Sequence, residues 1–179
     1  MPLLHLLAGP NGAGKSSYVR DILVPVTQLP VINADEIAAE RIAEGASFIS
    51  KTVFSHPSKV QLVADAVEAG YLVHLHVIMV PVELTVQRVF ERVRRGGHVV
   101  PEQKIRDRYD RLWEHVSTAI RLADVAEVLD NSSARMPFRA CARFAHGALI
   151  GSPSWPVWTP AALTEGWRDE QREPSTPQV

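Results

Sequence analysis

The chain has 179 residues, of which 46% are hydrophobic and 22% are charged, and its formal net charge is −1. This length predicts one domain with a sizeable core, and the balanced charge argues against partners such as nucleic acid or an anionic membrane. Cys141 is the single cysteine, which excludes an intrachain disulfide and favours a reducing compartment. Because the first residues lack a basic signal-peptide start and no apolar run approaches the ~20 residues of a membrane span, we expect a cytoplasmic protein.

The first part of the chain alternates between apolar runs and helical patterns. Residues 3–8 form a continuous apolar run typical of a buried parallel strand. A glycine-rich loop follows, and then a helix that we expect Pro25 to close. Further along we predict a strand at 29–33, a helix at 36–44, a brief extended segment within 46–55 and a helix at 56–70.

The second part continues this alternation. Residues 71–80 are apolar on both faces and predict a central strand. After it we predict helices at 81–95 and 101–124, a strand at 125–130 and a last strand within 138–150. Strands that alternate with helices predict an α/β fold with a parallel sheet covered on both faces.

The composition divides the chain near residue 150. We assign residues 1–150 to the domain, with a flexible lid near 94–108. Residues 151–179 form a tail rich in proline and tryptophan. We expect its tryptophans to pack on the surface and its last ~10 residues to be disordered.

The stretch GPNGAGKSS fits the phosphate-binding pattern G-x-x-x-x-G-K-[ST], which predicts a site for a nucleoside triphosphate. Backbone amides can converge on phosphate oxygens, Lys15 can reach the outer phosphates, and Ser16 can ligate Mg²⁺. Transporter-type ATPases use a similar loop, but their glycine-rich signature and paired acids are missing from this sequence. The predicted binding residues are Gly9, Pro10, Asn11, Gly12, Ala13, Gly14, Lys15, Ser16 and Ser17.

Asp35 follows the second predicted strand and is the best candidate for a general base that accepts the proton of an acceptor hydroxyl. It also fits the N-cap of the next helix, and one carboxylate can serve both roles.

Arginines cluster between residues 88 and 111, on both sides of the RRGGHVVP segment. Such a run is often only a solvated helical face, but phosphoryl transfer also requires cations that close over the transferred group. We interpret the cluster as a lid.

His74 and His76 are two residues apart on a strand and point to the same side. We interpret them as buried, hydrogen-bonded histidines, because no third metal ligand has a suitable spacing. Asp130 and Asn131 follow a strand, where they border the nucleotide base or simply form a turn.

Taken together, several stretches resemble the zeta-toxin family of P-loop kinases. They are AGPNGAGKSS, INADEI, SFISKTVFSHPSK, LHVIMVP followed by FER, GGHVVPEQKIRDRY and LDNS, and they occur in the expected order over residues 5–133. The resemblance implies a nucleotide-kinase-like P-loop fold and phosphorylation that depends on ATP and Mg²⁺. It implies UDP-N-acetylglucosamine as the small-molecule acceptor and an antitoxin protein as a partner.

By position, the resemblance implies that Lys15 and Ser16 hold phosphate and Mg²⁺, that Asp35 is the base and that Arg92 stabilises the transferred phosphoryl group. A second lid cation would come from the region of His98, from Arg95 or from Arg106. Lys51 stands where the family usually has a glutamate, next to Thr52, on the acceptor side. An ammonium cannot accept hydrogen bonds from a sugar, so this departure leaves the identity of the acceptor open.

Two other functions compete with this interpretation. The RRGGHVVP segment also resembles the lid of gluconate-type kinases, which favours a metabolic sugar kinase. Lys51 and the short link between INADEI and SFISK are also compatible with a nucleotide-binding module that transfers phosphate poorly. A polynucleotide kinase is disfavoured because the chain has no net basic charge.

Overall fold

The computed structural model describes residues 1–32, 35–96 and 99–167, with only the backbone given for residues 35, 36 and 166. Seven strands form one sheet in the order β2-β3-β1-β4-β5-β6-β7. The strands are β1 (Leu3–Ala8), β2 (Val31–Ile32), β3 (Phe48–Thr52), β4 (Leu72–Met79), β5 (Val125–Asp130), β6 (Arg139–Ala145) and β7 (Ala148–Ile150).

The helices connect and cover these strands. They are α1 (Lys15–Tyr18), a π-helical segment (Val19–Leu23), α2 (Val24–Thr27), α3 (Asp35–Ala43), α4 (Ser58–Glu68), α5 (Val82–Arg94), α6 (Glu102–Leu122) and α7 (Ala161–Thr164). None of these helices is both long and apolar enough to cross a membrane.

The sheet is mixed but mostly parallel, which confirms the predicted α/β class. Strands β1 to β5 pair in parallel, and β4 is the fourth of seven strands, as its two apolar faces predicted. Side chains alternate between the faces, so Leu4 and Leu6 of β1 enter one cluster while Leu7 enters another. The larger cluster lies beneath α4 and α6, and the smaller lies beneath α1 and the π-helical segment.

The prediction that Pro25 closes the first helix is wrong. Helical backbone continues to Thr27 and ends where Gln28 adopts a positive φ of 56°. Pro25 lies at the start of α2, directly after the π-helical segment Val19–Leu23. Proline is tolerated in a first turn, where its missing N–H costs little.

The prediction of a single last strand within 138–150 is also wrong, because this stretch folds into two. Strands β6 and β7 pair in antiparallel fashion, and His146 and Gly147 connect them with φ values of 48° and 79°. Two consecutive positive φ values are typical of the tight turn that joins a twisted hairpin. The edge of the sheet is therefore antiparallel.

Residues 151–167 pack against the domain. Leu163 and Trp167 are buried, and the indole Nε1–H of Trp167 donates to the carbonyl oxygen of Gly147 at 2.8 Å. Trp155 and Trp158 are half-buried against the same core. The last ~10 residues, which we expected to be disordered, lie within residues 168–179, outside the described part of the chain.

Candidate active site

The glycine-rich loop connects the carboxyl end of β1 to α1, and two of its glycines lie where a side chain does not fit. A Cβ on Gly9 would lie 2.3 Å from the carbonyl oxygen of Ile78 in β4. A Cβ on Gly14 would lie 2.4 Å from the side-chain amide nitrogen of Asn131, and the φ of Gly14 is +98°. The backbone of the loop therefore packs directly against the neighbouring strands.

Lys15 is the first residue of α1, and its side chain reaches back to the loop. Its ammonium donates to the carbonyl oxygens of Gly9, at 2.7 Å, and Pro10, at 2.8 Å. Desolvation, together with the nearby charge of Lys51, lowers the pKa of Lys15 to about 7. An anion next to this group would favour its charged form.

Lys51 comes from β3, which pairs with β1 so that Lys51 lies opposite Leu7. Its ammonium donates to Ser16 Oγ at 2.9 Å. The parallel register therefore brings the residue that departs from the family pattern directly to the phosphate-binding loop.

An open cleft of about 400 Å³ lies over this loop. The side chains of Lys15, Lys51 and Arg92 give it positive charge, and no carboxylate lines it among the residues the structure describes. The lining consists of Asn11, Gly12, Gly14, Lys15, Ser16, Ser17, Lys51, Thr52, Val53 and Arg92. The cleft has the charge and the amide-rich wall required for an anion such as a phosphate group.

Two residues that the sequence did not assign to the loop hold it in place. Arg88 donates to the carbonyl oxygens of Gly12, at 2.9 Å, and Asn131, at 3.1 Å. The Asn131 side-chain amide donates to the carbonyl oxygen of Ala13 at 2.8 Å. In the sequence, Asn131 follows a predicted strand and Arg88 lies one helical turn before Arg92. Neither position indicated that these side chains bind the carbonyl groups of the loop.

The predicted lid cations differ in their surroundings. Arg92 lines the cleft, whereas Arg95 is exposed at the end of α5 and is absent from the lining. Arg106 is bound by two carboxylates, Glu83 at 2.8 Å and Glu102 at 2.8 Å. His98 lies outside the described residues.

Asp35 begins α3, but its side chain lies outside the described part of the chain. Its assignment as a base or a cap therefore stays a prediction. Thr52 ends β3 and lines the cleft beside Lys51.

His76 is buried and shares a hydrogen bond of 2.9 Å with His5, as predicted, but the premise that no third metal ligand lies near His74 and His76 is wrong. His5 lies opposite His74 in the pairing of β1 with β4, and one ring nitrogen from each of the three lies within 4.8 Å of the others. The sequence did not reveal this because 69 residues separate His5 from His74 and only the register brings them together.

Comparison with solved structures shows the fold. One similar structure belongs to the PezAT chromosomal toxin–antitoxin system of Streptococcus pneumoniae, with 13% identity, a TM-score of 0.54, and coverage of 73% of this chain and 68% of that one. Another is AvrRxo1-ORF1:AvrRxo1-ORF2 with sulphate ions, with 14% identity, a TM-score of 0.63, and coverage of 88% and 66%. The same pair with ATP has 14% identity, a TM-score of 0.62, and coverage of 89% and 66%.

The chain thus spans about two thirds of the length of these structures. No curated protein sequence matches it. The model of the zeta toxin family matches residues 33–136, which is more than half of the chain. The mostly parallel sheet, the glycine-rich loop between β1 and α1, and this match together show that the chain belongs to the zeta toxin family.

Proposed function

We propose that the chain is a kinase that transfers the terminal phosphate of ATP to a hydroxyl group of UDP-N-acetylglucosamine or a related small molecule. The observation that carries the proposal is the cleft in which the glycine-rich loop meets Lys15, Lys51 and Arg92. Membership of the zeta toxin family and the similarity to a structure solved with ATP support it.

On the nucleotide side, the loop amides and Lys15 would bind the phosphates. Lys15 would be fully charged in the complex, since the phosphate charges oppose the desolvation that lowers its pKa. Ser16 would hold Mg²⁺, which neutralises charge on the phosphates when it is bound. The Ser16 hydroxyl fits this role because it has two acceptor lone pairs and Lys51 uses only one.

In the transfer step, the acceptor oxygen forms a bond to the terminal phosphorus and the bond from that phosphorus to the bridging oxygen of ADP breaks. The hydroxyl proton passes to a base, for which we propose the Asp35 carboxylate. Arg92, on the wall of the cleft, would stabilise the charge of the phosphoryl group in transit. We also propose that a second cation, from Arg95, His98 or Arg106, closes over the transferred group as part of a lid.

The acceptor carries a negative group in this proposal. Lys51 and Thr52 line the cleft at the end of β3, and an ammonium donates hydrogen bonds without accepting them. The diphosphate of a nucleotide sugar supplies such a group. A sugar acid does so too, and Lys51 therefore favours a gluconate-type sugar kinase as the second candidate.

The test is an incubation of the protein with ATP, Mg²⁺ and three acceptors: UDP-N-acetylglucosamine, a neutral hexose and a sugar acid. Phosphorylated nucleotide sugar supports the leading acceptor, and phosphorylated sugar acid supports the second. Product from the neutral hexose alone contradicts the role given to Lys51. Nucleotide binding without product from any acceptor identifies a binding module and refutes the kinase.

The role of Asp35 is tested by the Asp35→Asn variant, which we expect to keep nucleotide affinity and lose transfer by at least ~100-fold. The matched control is Glu40→Gln, which removes an exposed carboxylate of the same helix and should change the rate less than about twofold, the scale of a surface substitution. Equal losses in both variants would show that Asp35 acts through the helix and not as the base.

We also propose a protein partner that inhibits the chain, and cytoplasmic activity, where ATP is available. Two similar structures come from a toxin–antitoxin system and from a two-protein complex. Expression of the chain alone and together with the product of the adjacent gene, with growth as the readout, tests this. Equal growth in both cultures would count against an antitoxin.

A further inference from the structure

Three histidines from two neighbouring strands meet on the sheet face beneath α1 and the π-helical segment. His5 lies opposite His74, and His76 follows two residues later on the same face. The ring centroids lie 5.3 Å apart for His5 and His74, 5.2 Å for His5 and His76, and 4.0 Å for His74 and His76. Tyr18 covers the cluster, with its ring 5.4 Å from that of His76.

The polar atoms of this cluster are only partly satisfied. His5 Nδ1 and His76 Nε2 lie 2.9 Å apart and share one hydrogen bond. Within the described part of the chain, His5 Nε2, His74 Nε2 and His76 Nδ1 are buried and have no hydrogen-bond partner. Buried polar atoms are nearly always paired, so three unpaired nitrogens in one cluster point to a missing ligand.

Glu127 directs a carboxylate oxygen toward two of these nitrogens. It lies opposite His76 in the pairing of β4 with β5. Its Oε2 is 3.8 Å from His74 Nε2 and 3.9 Å from His76 Nδ1, while its Oε1 is held by Arg143 at 3.2 Å. Glu127 therefore lies next to the two histidines of β4 without a hydrogen bond to either of these nitrogens.

Burial disfavours the charged form of the three imidazole rings. Burial first, and then the neighbouring histidines, lower the pKa of His76 to about 2, and burial followed by His74 lowers that of His5 to about 4. Burial also lowers the pKa of His74. Neutral imidazoles keep the nitrogen lone pair that a metal ion requires.

We propose that His5, His74 and His76 form a binding site for a divalent transition-metal ion of the zinc type, because one ring nitrogen from each lies within 4.8 Å of the others. Imidazole and carboxylate ligands suit such ions, and a tetrahedral ion at ~2.0–2.1 Å holds its ligand atoms about 3.3 Å apart. The three histidine nitrogens lie within 4.8 Å of one another, so the rings would close by up to about 1.5 Å to reach that spacing. Three histidine ligands leave one position for water, and the ion would join β1 to β4 on the sheet face beneath α1.

Cobalt is a direct probe, because four-coordinate Co²⁺ absorbs strongly in the visible range. Full-length protein with any affinity tag removed, stripped by a chelator and free of nucleotide, is titrated with Co²⁺ and then with Zn²⁺. We expect one equivalent of Co²⁺, four-coordinate bands, and displacement by Zn²⁺. The wild type binding less than about a tenth of an equivalent would overturn the proposal, since a built site fills at one ion per chain.

Matched variants locate the site. His76→Gln and His74→Gln should each lose affinity for Co²⁺ by at least ~10-fold, whereas the exposed control His146→Gln should bind like the wild type. Ser16→Ala should also bind normally, which separates this site from the phosphate-binding loop. If His76→Gln fails to fold by circular dichroism, His74→Gln, which is partly exposed, decides the question. Unchanged binding of Co²⁺ in that variant would show a packed histidine cluster without a metal.

Discussion

Replacing Gly14 with alanine should distort the phosphate-binding loop, and the structure gives two separate costs. The φ of +98° is unfavourable for any residue with a Cβ, by about 1–2 kcal/mol. The new Cβ would lie 2.4 Å from Asn131 Nδ2, so the amide must leave its 2.8 Å hydrogen bond to Ala13, at about 1–3 kcal/mol. Together we expect Gly14→Ala to lower the free energy of unfolding by about 2–5 kcal/mol.

Gly70→Ala is the matched control, because Gly70 has a φ of +79° but nothing within 4 Å of the added Cβ. It should cost only the backbone strain, about 1–2 kcal/mol. Urea unfolding followed by circular dichroism measures both values. In an Asn131→Ala background the clash is absent, so Gly14→Ala should there cost no more than Gly70→Ala. The reasoning would be refuted if Gly14→Ala and Gly70→Ala lowered the free energy of unfolding equally. It would also be refuted if the effect of Gly14→Ala were unchanged in the Asn131→Ala background.

Three further predictions follow from the loop and the core. In the protein without nucleotide the pKa of Lys15 is about 7, and a triphosphate would favour the charged form of its side chain. Nucleotide affinity should therefore be greatest below about pH 7 and fall as the pH rises above it. Calorimetry at pH 6 and pH 9 checks this, and equal affinity at the two pH values would contradict it. Lys51→Met removes the charge next to Lys15, so the decrease in nucleotide affinity should move to higher pH. A decrease at the same pH would mean that desolvation alone lowers the pKa of Lys15. Tyr109→Phe removes a buried hydrogen bond of 2.9 Å to the carbonyl oxygen of Val80. This should lower the free energy of unfolding in urea by about 1–3 kcal/mol. A decrease under about 0.5 kcal/mol would show that this carbonyl needs no partner.

The sequence predicted the order and type of most elements because the signals are local. The apolar runs at 3–8 and 71–80 became the neighbouring strands β1 and β4, and the glycine-rich stretch between β1 and α1 forms the predicted loop. One prediction failed because the surrounding backbone offsets the usual effect of a residue. Pro25 did not end its helix, since a π-helical segment precedes it and places the proline in a first turn.

The candidate site was less accessible from sequence, because its contacts join distant segments. Lys51 was noticed as a departure from the family pattern, but its bond to Ser16 depends on the pairing of β1 with β3. Arg106 was expected in a lid, and its two carboxylate partners lie at the starts of α5 and α6. The spacing of residues along a helix predicts which face of the helix each one occupies, but it does not predict which charged side chain of another element lies next to it.

The hydrogen bonds that hold the phosphate-binding loop have a consequence for the order in which the protein matures. Gly12 accepts from a guanidinium 76 positions later in the chain, and Ala13 accepts from an amide 118 positions later. A nascent chain that has emerged only through β4 therefore carries the complete motif but lacks the amide that fixes it. The loop conformation described above is therefore complete only after α5 and β5 have joined the fold.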